Sequence, residues 1–124
     1  MILIFTDNEQ IDLELSKKID NSRVVYYPDY ILEENEATVL IATIQPNKYN
    51  FKDFMFKVRS KDIQVILLLE DENVKELKDA LALGIYDLIF DPFSTEDIIK
   101  KIKSPTSFSK VSNYIKEILE LDTN

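Results

Sequence analysis

Five mainly apolar runs, Met1–Thr6, Arg23–Tyr27, Thr38–Ile44, Ile63–Leu69 and Asp87–Phe90, alternate along this chain with stretches of helical period. That alternation constrains the fold more than any other feature. Strands that alternate with helices are joined by crossovers, which set neighbouring strands parallel and place helices on both faces of one sheet. A strand covered on both faces is apolar throughout instead of alternating with polar residues, which describes "MILIFT" and "IQVILLL". The second of these is expected to be central in the sheet.

The helical stretches carry their own signals. "NEQIDLELSKKI" sets Ile11, Leu15 and Ile19 at helical spacing and ends in Lys17 and Lys18, where cations suit the helix dipole. "DYILEENEA" is long enough only for a short helix or a loop. After Pro46, Asn50 is placed to cap a helix whose Phe51, Phe54, Met55 and Val58 share one face turned to a core. A helix beginning near Asp71 or Asn73 turns Val74, Leu77, Ala80 and Leu81 inward and stops at Gly84, the only glycine in the chain, which supplies a left-handed residue without a Cβ clash. Ser94 caps a further helix with Glu96 and Asp97 in its first turn and Ile98, Ile99 and Ile102 packing. "SPTS" then interrupts the pattern. Phe108, Val111, Ile115 and Ile118 continue it as an apolar stripe, so a sixth helix is predicted over Phe108–Leu121. The organisation expected is one domain over residues 1–103 and a connector with a C-terminal helix over 104–124.

Composition excludes several function classes. The length of 124 residues is that of one ordinary domain, and 45% hydrophobic with 31% charged residues is a globular profile. A net charge of -8 without any Lys/Arg run excludes a nucleic-acid partner, since such affinity rests on cations that displace counterions. Zero Cys and zero His remove disulfides, thiolate nucleophiles, Cys–zinc sites and the commonest general base. There is no G-K-[ST] or G-x-S-x-G motif, and a single glycine makes a phosphate cradle hard to build, so no cofactor is expected. No apolar run approaches the roughly 20 residues that span a bilayer, and the N-terminus lacks a basic flank and a cleavage site. A cytoplasmic protein without membrane insertion is expected.

The order of these elements, the early "ILIFTDNE" and the segment "ALALGIYDLIFDPFSTEDIIKKI" resemble the receiver domains of bacterial response regulators. There the same places read, schematically, I-L-I-V-D-D-E and A-x-x-x-G-A-x-D-Y-L-x-K-P-F. The resemblance spans Met1 to Lys103 and is strongest from Ala80 to Ile102. It implies an α/β, flavodoxin-like (CheY-like) three-layer sandwich with a five-stranded parallel sheet of order 2-1-3-4-5, here with an extra C-terminal helix. It also implies a cis Asp91–Pro92 peptide.

Residue by residue, the phosphoryl chemistry that the resemblance implies is missing. An active receiver transfers a phosphoryl group to an Asp ending strand three, four residues before a proline. Counting back from Pro46 gives Ala42, and no Asp occurs between Asn35 and Asn50. In the acidic pair that holds Mg²⁺ at the end of strand one, Thr6 replaces the first member and Asp7 keeps the second. Leu69 stands at the Ser/Thr that contacts the phosphoryl group, Leu88 at the mobile aromatic, and Asp91 at the lysine that neutralises phosphoryl oxygens. An acid at that point repels a phosphate. The degenerate pocket positions are therefore Thr6, Asp7, Ala42, Leu69 and Asp91, with no catalytic residue and no resident metal expected. Asp7, Glu70, Asp71 and Asp91 fall at the carboxyl ends of strands, where ligands bind in open α/β sheets, and could form a residual cation site. The favoured reading is that they are solvated loop acids and helix caps, since surface acids are common in an acidic chain.

Three function classes follow. The first is a non-phosphorylatable, non-enzymatic signalling or localisation module that binds a protein partner or a second copy. Its surface would be helix four, strand five and helix five, Asn73–Lys103, with Tyr86 and Leu83 as candidate anchors, or else the C-terminal helix. The chain is similar in this respect to the pseudo-receiver domains at the N-terminus of ParA/MinD-like pilus-assembly ATPases. In that reading the nucleotide-binding part lies outside this sequence, and the C-terminal helix either dimerises or folds back. The second class is a flavodoxin-like small-ligand-binding domain or enzyme. The third is a phosphoryl acceptor using Thr43 or Thr6, disfavoured because a hydroxyl is a poor acceptor without a base and a metal.

Overall fold

The computed structural model describes residues 1–119. Its elements run β1 (Ile2–Phe5), α1 (Glu9–Lys18), β2 (Ser22–Val24), α2 (Pro28–Glu33), β3 (Val39–Thr43), α3 (Phe51–Ser60), β4 (Gln64–Leu69), α4 (Glu76–Ala82), β5 (Asp87–Phe90), α5 (Thr95–Lys103) and α6 (Phe108–Ile118). The five strands form one parallel sheet of order β2-β1-β3-β4-β5, the expected doubly wound topology.

Successive side chains on a strand point to opposite faces, and that period divides the core in two. Leu3, Phe5, Leu40, Ala42, Val65, Leu67 and Leu69 face α2, α3 and α4. Ile4, Val39, Ile41, Ile66, Leu68 and Ile89 face α1 and α5. The caps read from the sequence are in place, with Asn50 Oδ1 accepting from Asp53 N and Ser94 Oγ from Asp97 N, and the structure adds Asn8, whose Oδ1 accepts from Ile11 N at the start of α1. Phe51, Phe54, Met55 and Val58 are all buried, as their spacing requires.

Two boundaries differ from the sequence reading. β2 holds only Ser22–Val24 where Arg23–Tyr27 was expected, because Pro28 opens α2 and leaves Tyr26 and Tyr27 in an exposed approach to it. α4 begins at Glu76, later than Asp71 or Asn73. The Asp71 carboxylate accepts from the Asn73 N–H at 2.8 Å and so closes a local turn on itself, and no side chain caps the helix. Gly84 ends α4 at φ +78, as predicted; a Cβ there would lie 3.3 Å from Arg59 Nη2. Arg59 donates from Nε to the Leu83 carbonyl and from Nη1 to the Ile63 carbonyl, tying α3 to the end of α4.

The C-terminal helix folds back onto the domain. Ile115 is 4% exposed and joins the α3/α4 side of the core, with Val111, Tyr114, Ile118 and Leu119 packed around it. The expected extent to Leu121 runs outside the described residues. Its connector is held at the base of the sheet, where the buried Asp87 carboxylate accepts from the Thr106 N–H at 2.7 Å and from Gln64 Nε2 at 3.1 Å. Lys101 Nζ adds a bond to Thr106 Oγ1 at 2.8 Å. The candidate anchors are correspondingly covered. Tyr86 meets the Phe108 ring edge-on with centroids 5.8 Å apart, and Leu83 packs against the main core. Both are partly buried.

Truncating Ile115 to Ala removes buried methyl groups from a docked helix and is expected to cost about 2–4 kcal/mol in urea unfolding. Unchanged stability would mean that α6 does not contribute to the fold.

Candidate functional site

The carboxyl ends of β1, β3, β4 and β5 meet at one rim of the sheet. Ala42 ends at this rim but points away from it, 0% exposed, on the face covered by α3. It pairs with Phe5 across the β1–β3 ladder. Phe5, Tyr49 and Phe54 fill the same region, with Tyr49 centroids 4.7 Å from Phe54 and 5.7 Å from Phe5. The Tyr49 hydroxyl donates to the Thr43 carbonyl at 2.7 Å, and burial pushes its pKa well above the usual tyrosine range. Where an acceptor carboxylate would need water, charge and a metal, this chain has a methyl group beside an aromatic cluster.

Leu69 is buried on that face and Leu88 is half-buried there. Asp91 is exposed; its N–H donates to the Leu69 carbonyl at 2.9 Å, and its peptide to Pro92 is cis, as the resemblance implied. Glu70 and Asp71 are exposed on the β4–α4 loop. Among the described residues no three acidic side chains lie at metal-holding spacing, so Asp7, Glu70, Asp71 and Asp91 are not gathered into a ligand cluster.

At the end of β1 the chain uses hydrogen bonds in place of a charge pair. Thr6 Oγ1 donates to Asp12 Oδ1 at 2.6 Å and accepts from the Asn8 N–H at 3.1 Å. Thr6 and Asp12 are both buried. Burial raises the Asp12 pKa; the Thr6 hydrogen bond opposes this, nearby Asp7 adds to it, and Lys48 offsets part of it. Asp7, in a left-handed conformation at φ 55, is exposed, and its Oδ1 lies 3.5 Å from Lys48 Nζ. Lys48 also donates to the Tyr26 carbonyl at 3.3 Å. Thr43 Oγ1 donates to the Thr6 carbonyl at 2.8 Å and accepts from Gln45 Nε2 at 3.0 Å. A cleft of about 360 Å³ at the ends of β3 and β4, lined by Thr43, Ile44, Leu68, Leu69, Val74 and Phe93, is mainly apolar.

Sequence reasoning missed Asp12 and Lys48. Asp12 carried a signal: an acid directly beside Ile11 and one turn before Leu15 and Ser16 sits at the border of an apolar stripe, where it must find a donor. Lys48 carried none, since a lysine between Pro46 and Tyr49 is ordinary loop composition.

The Asp12 shift fixes a pH dependence. The folded state binds this proton more tightly than the unfolded chain does, so the contribution is fully present below the ordinary Asp value of 3.8 and is lost as pH rises through the raised folded value. Asp12→Asn keeps an acceptor for Thr6 and removes the titration. Urea midpoints should show wild-type stability falling relative to Asp12→Asn across that window; parallel curves would contradict the assignment.

No protein-family model and no curated protein matches the chain. Solved structures do. A BeF3-activated DrrB receiver domain is 18% identical with a TM-score of 0.67, over 82% of this chain and 92% of that one. The chemotaxis response regulator CheY4 of Vibrio cholerae is 16% identical with a TM-score of 0.66, over 82% and 94%. A two-component response regulator from Clostridium difficile is 16% identical with a TM-score of 0.64, over 99% and 98%. With its five parallel strands in the order 2-1-3-4-5, the chain has the CheY-like, flavodoxin-like fold of response-regulator receiver domains.

Proposed function

We propose that this chain is a receiver-like signalling or localisation module that accepts no phosphoryl group, catalyses no reaction and acts in the cytoplasm by protein–protein contact. The carrying observation is Ala42: the strand-three position aligned with the acceptor Asp holds a fully buried methyl group against Phe5. Three further features agree with it. Thr6 is bound to Asp12, the Asp7 carboxylate is paired with a lysine, and Asp91 puts negative charge where a phosphoryl group would need a cation. Among the described residues no helix is long and apolar enough to cross a membrane.

The same reading makes the module part of a larger regulator or assembly ATPase. The fold occurs in that setting: the Thermotoga maritima response regulator DrrB matches with a TM-score of 0.70 at 18% identity, over 90% of this chain but only 52% of its own. The alternative of a flavodoxin-like ligand-binding domain or enzyme has no comparable support.

Titrating the ¹⁵N-labelled chain with Mg²⁺ and then beryllofluoride, a mimic of aspartyl phosphate, is expected to leave the amides of Asp7, Ala42, Leu69 and Asp91 unmoved at millimolar ligand. Saturable shifts at those residues would overturn the phosphorylation-blind reading.

A further inference from the structure

We infer that the groove between α1 and β2 is a docking site for a partner segment that presents a Lys or Arg next to an apolar side chain. The inference deepens the interaction-module reading and rests on it. The groove measures about 500 Å³ and is lined by Asp7, Glu9, Asp12, Leu13, Val24 and Tyr26. Two of its walls are apolar and open: Leu13 is 52% exposed and Tyr26 54%, with Tyr27 beside them at 71%. An exposed Leu–Tyr pair around a concave surface is the composition of an interface centre, where aromatic side chains carry much of the binding energy.

Charge selects the occupant. Three carboxyl groups line the groove, and Glu9 forms no ion pair among the described residues. Beside the groove, Lys48 of the β3–α3 loop lies 3.5 Å from Asp7 Oδ1 while donating to the Tyr26 carbonyl. That lysine compensates Asp7 and leaves Glu9 without a cation among the described residues. A partner's cation would compete with it for Asp7, find Glu9 uncompensated, and have the face of Tyr26 within reach, while its apolar neighbour packs on Leu13 and Val24. An acidic segment or a nucleic-acid backbone would meet the uncompensated Glu9 carboxylate.

The test is an amide-shift titration of the full chain with an acetylated, amidated Leu-Arg-Leu-Arg-Leu-Arg peptide. Hexa-arginine and the same peptide with Glu in place of Arg serve as controls. Saturable shifts at Asp7, Leu13, Val24 and Tyr26 are expected with the Leu–Arg peptide alone. The double variant Leu13→Ser/Tyr26→Ser, altered only on the surface, should lose about tenfold in affinity. Lys48→Met should gain about two- to fivefold, because the competing ion pair is a half-exposed one. Absence of saturable shifts, equal response to either control, or weaker binding by Lys48→Met would overturn the proposal. Failure here with a silent beryllofluoride titration removes the docking site and leaves the phosphorylation-blind module standing. A beryllofluoride response with specific peptide binding does the reverse.

Discussion

A parallel sheet with helices on both faces leaves its central strands no side open to water, so each of their side chains must be apolar or fully hydrogen-bonded. β1, β3 and β4 meet that condition with Leu, Ile, Val, Phe and Ala on both faces. Its consequences extend past the strands. Thr6 follows β1 into buried territory and is satisfied by Asp12, one helical turn into α1. Asp87 opens β5 as a buried carboxylate and takes its hydrogen bonds from Gln64 and from the connector backbone at Thr106. Polar groups in this core are therefore also the points at which distant segments are fastened to it.

The composition of the rim follows from the same packing. A phosphoryl-accepting rim in this fold must keep several like charges and a metal close together, at a cost in electrostatic repulsion and desolvation. In this chain the region is closed by apolar contact. Ala42 and Leu69 are core residues, the Phe5–Tyr49–Phe54 cluster occupies the space beside them, and the remaining acids are spread over separate loops.

Legibility in the sequence tracked how local each signal was. The caps Asn50 and Ser94, the stripe from Phe51 to Val58, and Gly84 as a helix stop all depend on neighbours within one or two turns, and each stands where its pattern placed it. The strand order came from the resemblance rather than from periodicity. The start of α4 was misplaced because Asp71 is equally suited to cap a helix or to close a turn, and only the path of the chain decides. What the sequence could not show was contact between distant segments: Thr6 with Asp12 across the first loop, Lys48 with Asp7 from the β3–α3 loop, and α6 laid over Tyr86 through a connector pinned by Asp87. At the rim, the identities of Ala42 and Asp91 were legible, and the contacts around them were not.

The Lys48–Asp7 pair changes what kind of signal this rim can register. A bound metal comes and goes with its concentration in solution, whereas an ammonium on a loop of the same chain has an effective concentration fixed by chain length and cannot be diluted away. Its hold on Asp7 weakens with rising ionic strength, since both partners reach solvent. The first loop is thus left responsive to salt and to other cationic side chains.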